Sequence, residues 1–210
     1  MLGIGVAGQV LQSNGSAAPS WIPFGARFAP FKTSGTWVCP SGVTLVWATG
    51  VGAGGGGGGD NTGTHIGIQY GGGGKGQPCI SVPITVVPGR TYNIAVGSGG
   101  LGGVSAGNTG SSSGTNGGAT TLVDSTNSSV LLNLAGGGGG TQTTQGVGYP
   151  TAIAGQGGGE YGAPPNPNGV STPVLPYMAN SGCGGGGAHI WANAPYYGGN
   201  GSDGYLQLEW

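Results

Sequence analysis

Short runs of alternating apolar and polar residues, punctuated by turns, carry the order in this chain. Val43-Thr-Leu-Val-Trp-Ala-Thr49 puts Val43, Leu45 and Trp47 on one face and Thr44, Val46 and Ala48 on the other. Gly204-Tyr-Leu-Gln-Leu-Glu-Trp210 repeats the pattern, setting Tyr205, Gln207 and Glu209 against Leu206, Leu208 and Trp210. Further strand-like runs cover residues 35–40, 79–87, 90–96, 119–123 and 130–135, with turns at Ser41-Gly42 and Pro88-Gly89 and a polar break from Asp124 to Ser129. No segment sustains the 3.6-residue period of a helix. The expected fold is all-β, with about seven short strands in a β-sandwich or jelly-roll-like domain.

The first thirty residues read differently. Asn14-Gly15 between extended runs is a strong hairpin signal. Pro19, Pro23 and Pro30 then keep the chain out of helix. Residues 1–30 are therefore expected to form an N-terminal connector or docking arm, with Phe24, Phe28 and Phe31 entering a glycine-rich β domain over 31–210.

Glycine changes this picture. The chain holds 55 among 210 residues, nearly four times the usual share of about 7%. They cluster at Gly54–Gly59, Gly71–Gly74, Gly136–Gly140, Gly157–Gly159 and Gly184–Gly187, inside the long connections 50–78, 97–118 and 136–203. Glycine loses more conformational freedom on folding than any other residue, so ordered blocks need dense backbone hydrogen bonding and an anchoring core. Blocks at separate points of one scaffold can meet in space. Stacked as three-residue extended helices, they would pack as polyglycine-II-like layers without side chains. Proline is not spaced as in collagen.

Charge and motifs narrow the chemistry. Four basic and five acidic residues leave a net charge of −1. Arg27, Lys32, Lys75 and Arg90 cannot make a phosphate-binding patch, so no nucleic-acid partner is expected. No apolar run is long enough for a membrane-spanning helix, so no membrane insertion is expected. The N-terminus lacks the pattern of a signal peptide, which predicts folding in a cytoplasm. Cys39, Cys79 and Cys183 are odd in number and lack C-x-x-C spacing, which favours buried thiols or at most one bridge. Gly97-Ser-Gly-Gly-Leu-Gly102 fits G-x-G-x-x-G but lacks the following helix and acidic residue of a dinucleotide site. Gly110-Ser-Ser-Ser-Gly114 fits G-x-S-x-G without strand–turn–helix context. His65 has no carboxylate or cysteine at coordinating spacing, and the five acidic residues form no cluster. The expectation is a non-enzyme with no catalytic residue, cofactor or metal.

One concentration points towards binding. Tyr149, Tyr161, Tyr177, Trp191, Tyr196 and Tyr197 lie among Pro, Asn, Gln and Gly between 141 and 200. Tyr and Trp on glycine-rich loops give large contact area at low entropic cost and stack well on sugars. These six are the candidate receptor-binding residues. The competing role is to cap the glycine layers and exclude water.

FKTSGTWVCPSGVTLVWATG (31–50), followed by the Gly54 block, resembles the glycine-rich domain of tail fibre and appendage proteins of tailed bacteriophages. PGRTYNIAVGSGG (88–100) is similar to that family's P-G-x-x-Y-x-x-x-V-G-x-G-G repeat, and GSDGYLQLEW (201–210) to its terminal strand. GQVLQSNGSAAPSW (8–21) resembles a connector common in phage fibre proteins. Together these span about residues 8–210, and the insert 141–200 departs from the pattern. The resemblance implies a virion structural protein of the adhesin type. It would be a homotrimer, attached to other virion proteins through residues 1–30 and contacting a host surface glycan or outer-membrane protein. The alternatives are a purely structural virion component (capsid decoration, head fibre or tail assembly protein) and ice or polysaccharide binding by flat polyglycine faces.

Overall fold

The computed structural model describes residues 4, 6, 9–23, 27–60, 71–103, 111–141, 181–185 and 197–210. Among these there is no helix. The strands are β1 (Gln9–Asn14), β2 (Ala17–Pro23), β3 (Phe28–Phe31), β4 (Gly35–Val38), β5 (Leu45–Val51), β6 (Gly59–Asp60), β7 (Pro78–Thr85), β8 (Thr91–Ala95), β9 (Ser111–Ser112), β10 (Thr120–Asp124), β11 (Val130–Leu134) and β12 (Tyr205–Glu209). Each run with a strand-like pattern is present, as β4, β5, β7, β8, β10, β11 and β12.

Two four-stranded antiparallel sheets, ordered β11-β10-β8-β4 and β3-β12-β5-β7, form a β-sandwich. Their inner faces supply one core. Trp37, Tyr92, Ile94 and Leu122 come from the first sheet, and Val46, Ala48, Ile84, Leu206 and Leu208 from the second. The alternation of β5 therefore resolves with Val46 and Ala48 inside and Leu45 and Trp47 outside. Each fully buried Leu contributes about 1.5–3 kcal/mol over an exposed one. Trp37 bridges Tyr92 and Trp210, with ring centroids 5.6 and 5.5 Å apart, and closes one end of the core. Arg90 and Asp124 form a 2.8 Å ion pair beside β10, and the Thr126 amide donates to the same carboxylate.

Two features sit at the margins. Asn14-Gly15 turns the β1–β2 hairpin, with Gly15 at a φ of 67° that an L side chain resists. β3 starts at Phe28 and pairs with β12, from Phe31↔Leu206 to Phe28↔Glu209. Pro30 is tolerated there because β3 is an edge strand.

Beyond the sandwich, six strands run on into, or emerge from, glycine-rich chain. Segments 52–58, 71–77, 97–103, 114–118, 135–141 and 198–204 adjoin β5, β7, β8, β10, β11 and β12, and segment 182–185 joins them. Segment 52–58 is the centre, and its amides change partner with a period of three. Gly52, Gly55 and Gly58 donate to Gln77, Gly74 and Gly71; Ala53 and Gly56 donate to Gly118 and Thr115; Gly54 and Gly57 donate to Ser202 and Gly199. Its carbonyls follow the same rule. Ala53 and Gly56 accept from Gly137 and Gly140, Gly54 and Gly57 from Gly100 and Gly103, and Gly55 from Gly185.

The surrounding segments also bond to one another. Around the ring, 71–77 bonds to 135–141, which bonds to 114–118, then 97–103, then 198–204, then 182–185, and so back to 71–77. Six segments thus enclose one, with ring neighbours antiparallel. In the central segment every amide from Gly52 to Gly58 is paired, as a buried backbone requires.

Glycine is required here for closeness and not for backbone dihedrals. Among the described residues, positive-φ glycines are Gly15, Gly42, Gly89 and Gly182, of which only Gly182 belongs to the bundle. A Cβ on Gly54, Gly55, Gly56, Gly73, Gly100, Gly137 or Gly201 would instead collide with a neighbouring backbone carbonyl. Outward-facing side chains recur three apart at Ser98 and Leu101 and at Tyr197, Asn200 and Asp203, whereas the small side chains of Ala53 and Ser202 are fully buried.

Candidate functional site

The bundle has two ends of different character. At the near end, residues 52, 77, 97, 118, 135 and 204 abut the sandwich strands. At the far end lie residues 58, 71, 103, 114, 140, 185 and 198. β6 and β9 pair there as a short clip, Gly59↔Ser112 and Asp60↔Ser111. The described residues that flank 61–70, 104–110 and 186–196 all belong to this far end. Stretch 142–180 also leaves from it, after Thr141, but rejoins the described chain at the near end. There the Gly182 amide donates to the Asp203 carbonyl.

Of the six candidate aromatics, Tyr197 is half-buried at the far end, one residue before Gly198, whose amide donates to the Gly103 carbonyl. Tyr149, Tyr161, Tyr177, Trp191 and Tyr196 lie outside the described residues. Topology therefore gives the stretches that carry them a common point of departure.

Outward amides of the ring are capped by side chains that the sequence patterns had not singled out. Asn200 Oδ1 accepts from Gly102 at 2.8 Å, and Asp203 Oδ1 from Gly99 at 2.8 Å. Thr115 Oγ1 accepts from Leu101 and Asn116 Oδ1 from Gly139, while Gln77 Oε1 accepts from Ala135. A threefold helix aligns residues i and i+3, so the 200/203 pair matches the 99/102 pair. The spacing Tyr197-Gly-Gly-Asn200-Gly-Ser-Asp203 held that signal.

The same bonds dispose of the G-x-G-x-x-G run. Gly97, Gly99, Gly100, Leu101 and Gly102 donate to Thr120 Oγ1, Asp203, the Gly54 carbonyl, Thr115 and Asn200. Amides consumed in this way are not aimed at a phosphate. All three cysteines are free thiols. Burial raises the Cys39 and Cys79 pKa values, which disfavours reactive thiolates.

A family model described as a glycine-rich domain matches residues 30–173, more than half of the chain. No curated protein matches the chain.

Proposed function

We propose that this chain, which belongs to the glycine-rich domain family, is a bacteriophage virion protein of the tail fibre or adhesin type. It contacts a host surface glycan or outer-membrane protein through the stretches that leave the far end of the bundle. One observation carries the reading: a close-packed, mostly glycine array brings the points of departure of four separate insertions to the end opposite the sandwich. The three-residue hydrogen-bond period supports reading each glycine segment as a polyglycine-II helix. Within residues 1–30, the β1–β2 hairpin is the arm that joins other virion proteins, and three copies assemble in the particle.

Labelling of host cells by the purified full chain tests this proposal. Replacing Trp191, Tyr196 and Tyr197 together with Ala should abolish labelling while the melting temperature stays near wild type. Undiminished labelling by that variant would discard the aromatic assignment. No labelling by the wild-type chain, with many copies per particle, would place the protein in particle assembly instead.

A further inference from the structure

The outer face of sheet β3-β12-β5-β7 carries features that neither the bundle nor the core explains. Trp47 and Phe28 are 42% and 52% exposed. Both stand directly across from Glu209, Phe28 on β3 and Trp47 on β5. An aromatic–carboxylate–aromatic row therefore crosses three strands. Along β12, the Tyr205 hydroxyl donates to Gln207 Oε1 at 2.6 Å, and Gln207 Nε2 donates to Glu209 Oε1 at 2.5 Å. Burial, and secondarily Glu209, raises the Tyr205 pKa, so the phenol stays a donor. This ladder fixes the amide and carboxylate in place before any ligand arrives.

Beside the row lies a cleft of about 480 Å3 lined by Arg27, Ser41, Thr44, Leu45, Trp47 and Trp210. That volume falls in the range of roughly 300–1,000 Å3 typical of small-ligand sites. It brings together two indoles, two hydroxyl-bearing side chains and one guanidinium. Arg27 precedes Phe28, and its carbonyl accepts from the Trp210 amide at 2.9 Å, so its backbone is anchored at the rim.

Charge selects the ligand class. Arg27 is the one charged side chain lining the cleft and Glu209 stands in the adjoining row, across from Trp47, so cleft and row together carry no net charge and favour neither a phosphate nor a cation. Planar guanidinium, amide and carboxylate groups pair well with vicinal hydroxyls, and an indole face stacks on the C–H face of a pyranose. We infer that this cleft and the Trp47–Glu209 row form a binding site for an uncharged saccharide. It is separate from the far end of the bundle and independent of the function proposed above.

The test uses the intact chain on a broad glycan array, followed by calorimetric titration with the best neutral oligosaccharide found. Trp47→Ala should weaken binding at least tenfold, and Trp47→Phe should recover part of it. Arg27→Ala, at an exposed position, should weaken binding several-fold and serves if Trp47→Ala does not fold. Ile80→Ala and Val130→Ala, at exposed positions outside the cleft, should leave binding unchanged. The inference is overturned if no neutral glycan binds at millimolar concentration, or if binding survives both Trp47→Ala and Arg27→Ala. Loss of binding in Tyr197→Ala alone would also overturn it, by moving the site to the bundle's far end.

Discussion

Replacing Gly56 by alanine is the sharpest test of the seven-segment bundle. Gly56 lies midway along the central segment, so a Cβ there has no outward direction. It would overlap the Leu101 carbonyl and stand 2.7 Å from the Gly102 nitrogen. Both obstacles are backbone, which cannot rotate away as a side chain can. Overpacking of this kind typically costs about 1–3 kcal/mol. Displacing the segment also weakens two bonds, from Gly56 to the Thr115 carbonyl at 2.9 Å and from Gly140 to the Gly56 carbonyl at 2.7 Å. Each contributes about 0.5–1.5 kcal/mol net. Stiffening of the unfolded chain offsets about 0.4–1 kcal/mol.

The balance is a loss of about 2–5 kcal/mol, which at about 2–4 °C per kcal/mol lowers the melting temperature by about 4–20 °C. Thermal unfolding followed by far-UV circular dichroism measures it. Gly35→Ala is the control, because its Cβ meets nothing within 4 Å, and it should melt within about 2 °C of wild type, as surface changes do. If Gly56→Ala melts with Gly35→Ala, the bundle is not packed as described and the reasoning fails.

Leu206→Ala empties a fully buried site in the core and should cost about 2–5 kcal/mol in denaturant unfolding. Asn200→Ala and Asp203→Ala each remove one cap from a ring amide. Each should cost about 1 kcal/mol, and hydrogen exchange should quicken at Gly102 in the first and at Gly99 in the second. Asp124 is held below the usual carboxylate range, first by the Thr126 amide and then by Arg90. A depressed folded value means its stabilisation is complete above the unfolded carboxyl value of about 3.9 and is lost as pH falls through the folded value. Asp124→Asn should therefore melt below wild type at neutral pH, and the gap should close in acid.

The sandwich was legible because each of its strands has a face to bury. Alternation in β5 and β12 marked the positions that became Val46, Ala48, Leu206 and Leu208 of the core, and Asn14-Gly15 marked the hairpin. Phe28–Pro30 was harder to read. Prolines argue against helix but do not mark a strand, and only pairing with β12 makes this stretch an edge. The glycine blocks marked which segments could meet and stack, but their order around the ring left almost no trace, since its bonds join backbone to backbone and no hydrophobic pattern records them. Its one imprint is the three-residue spacing of Tyr197, Asn200 and Asp203 and of Ser98 and Leu101. At the candidate site, the aromatic cluster was visible as composition, but the shared point of departure follows from strand order alone. The cleft beside Trp47 escaped notice because β5 alternation does not say which face meets solvent.

A lattice held chiefly by main-chain bonds is nearly blind to sequence. Sliding one of its threads by three residues restores almost the same partners, so glycine by itself cannot fix the register. The sandwich strands and the few capping side chains must hold it. It follows that a far-end insertion can lengthen, shorten or be exchanged wholesale without any change being felt in the core. Within a thread, by contrast, one added residue rotates every later position by a third of a turn and drives the next side chain inward.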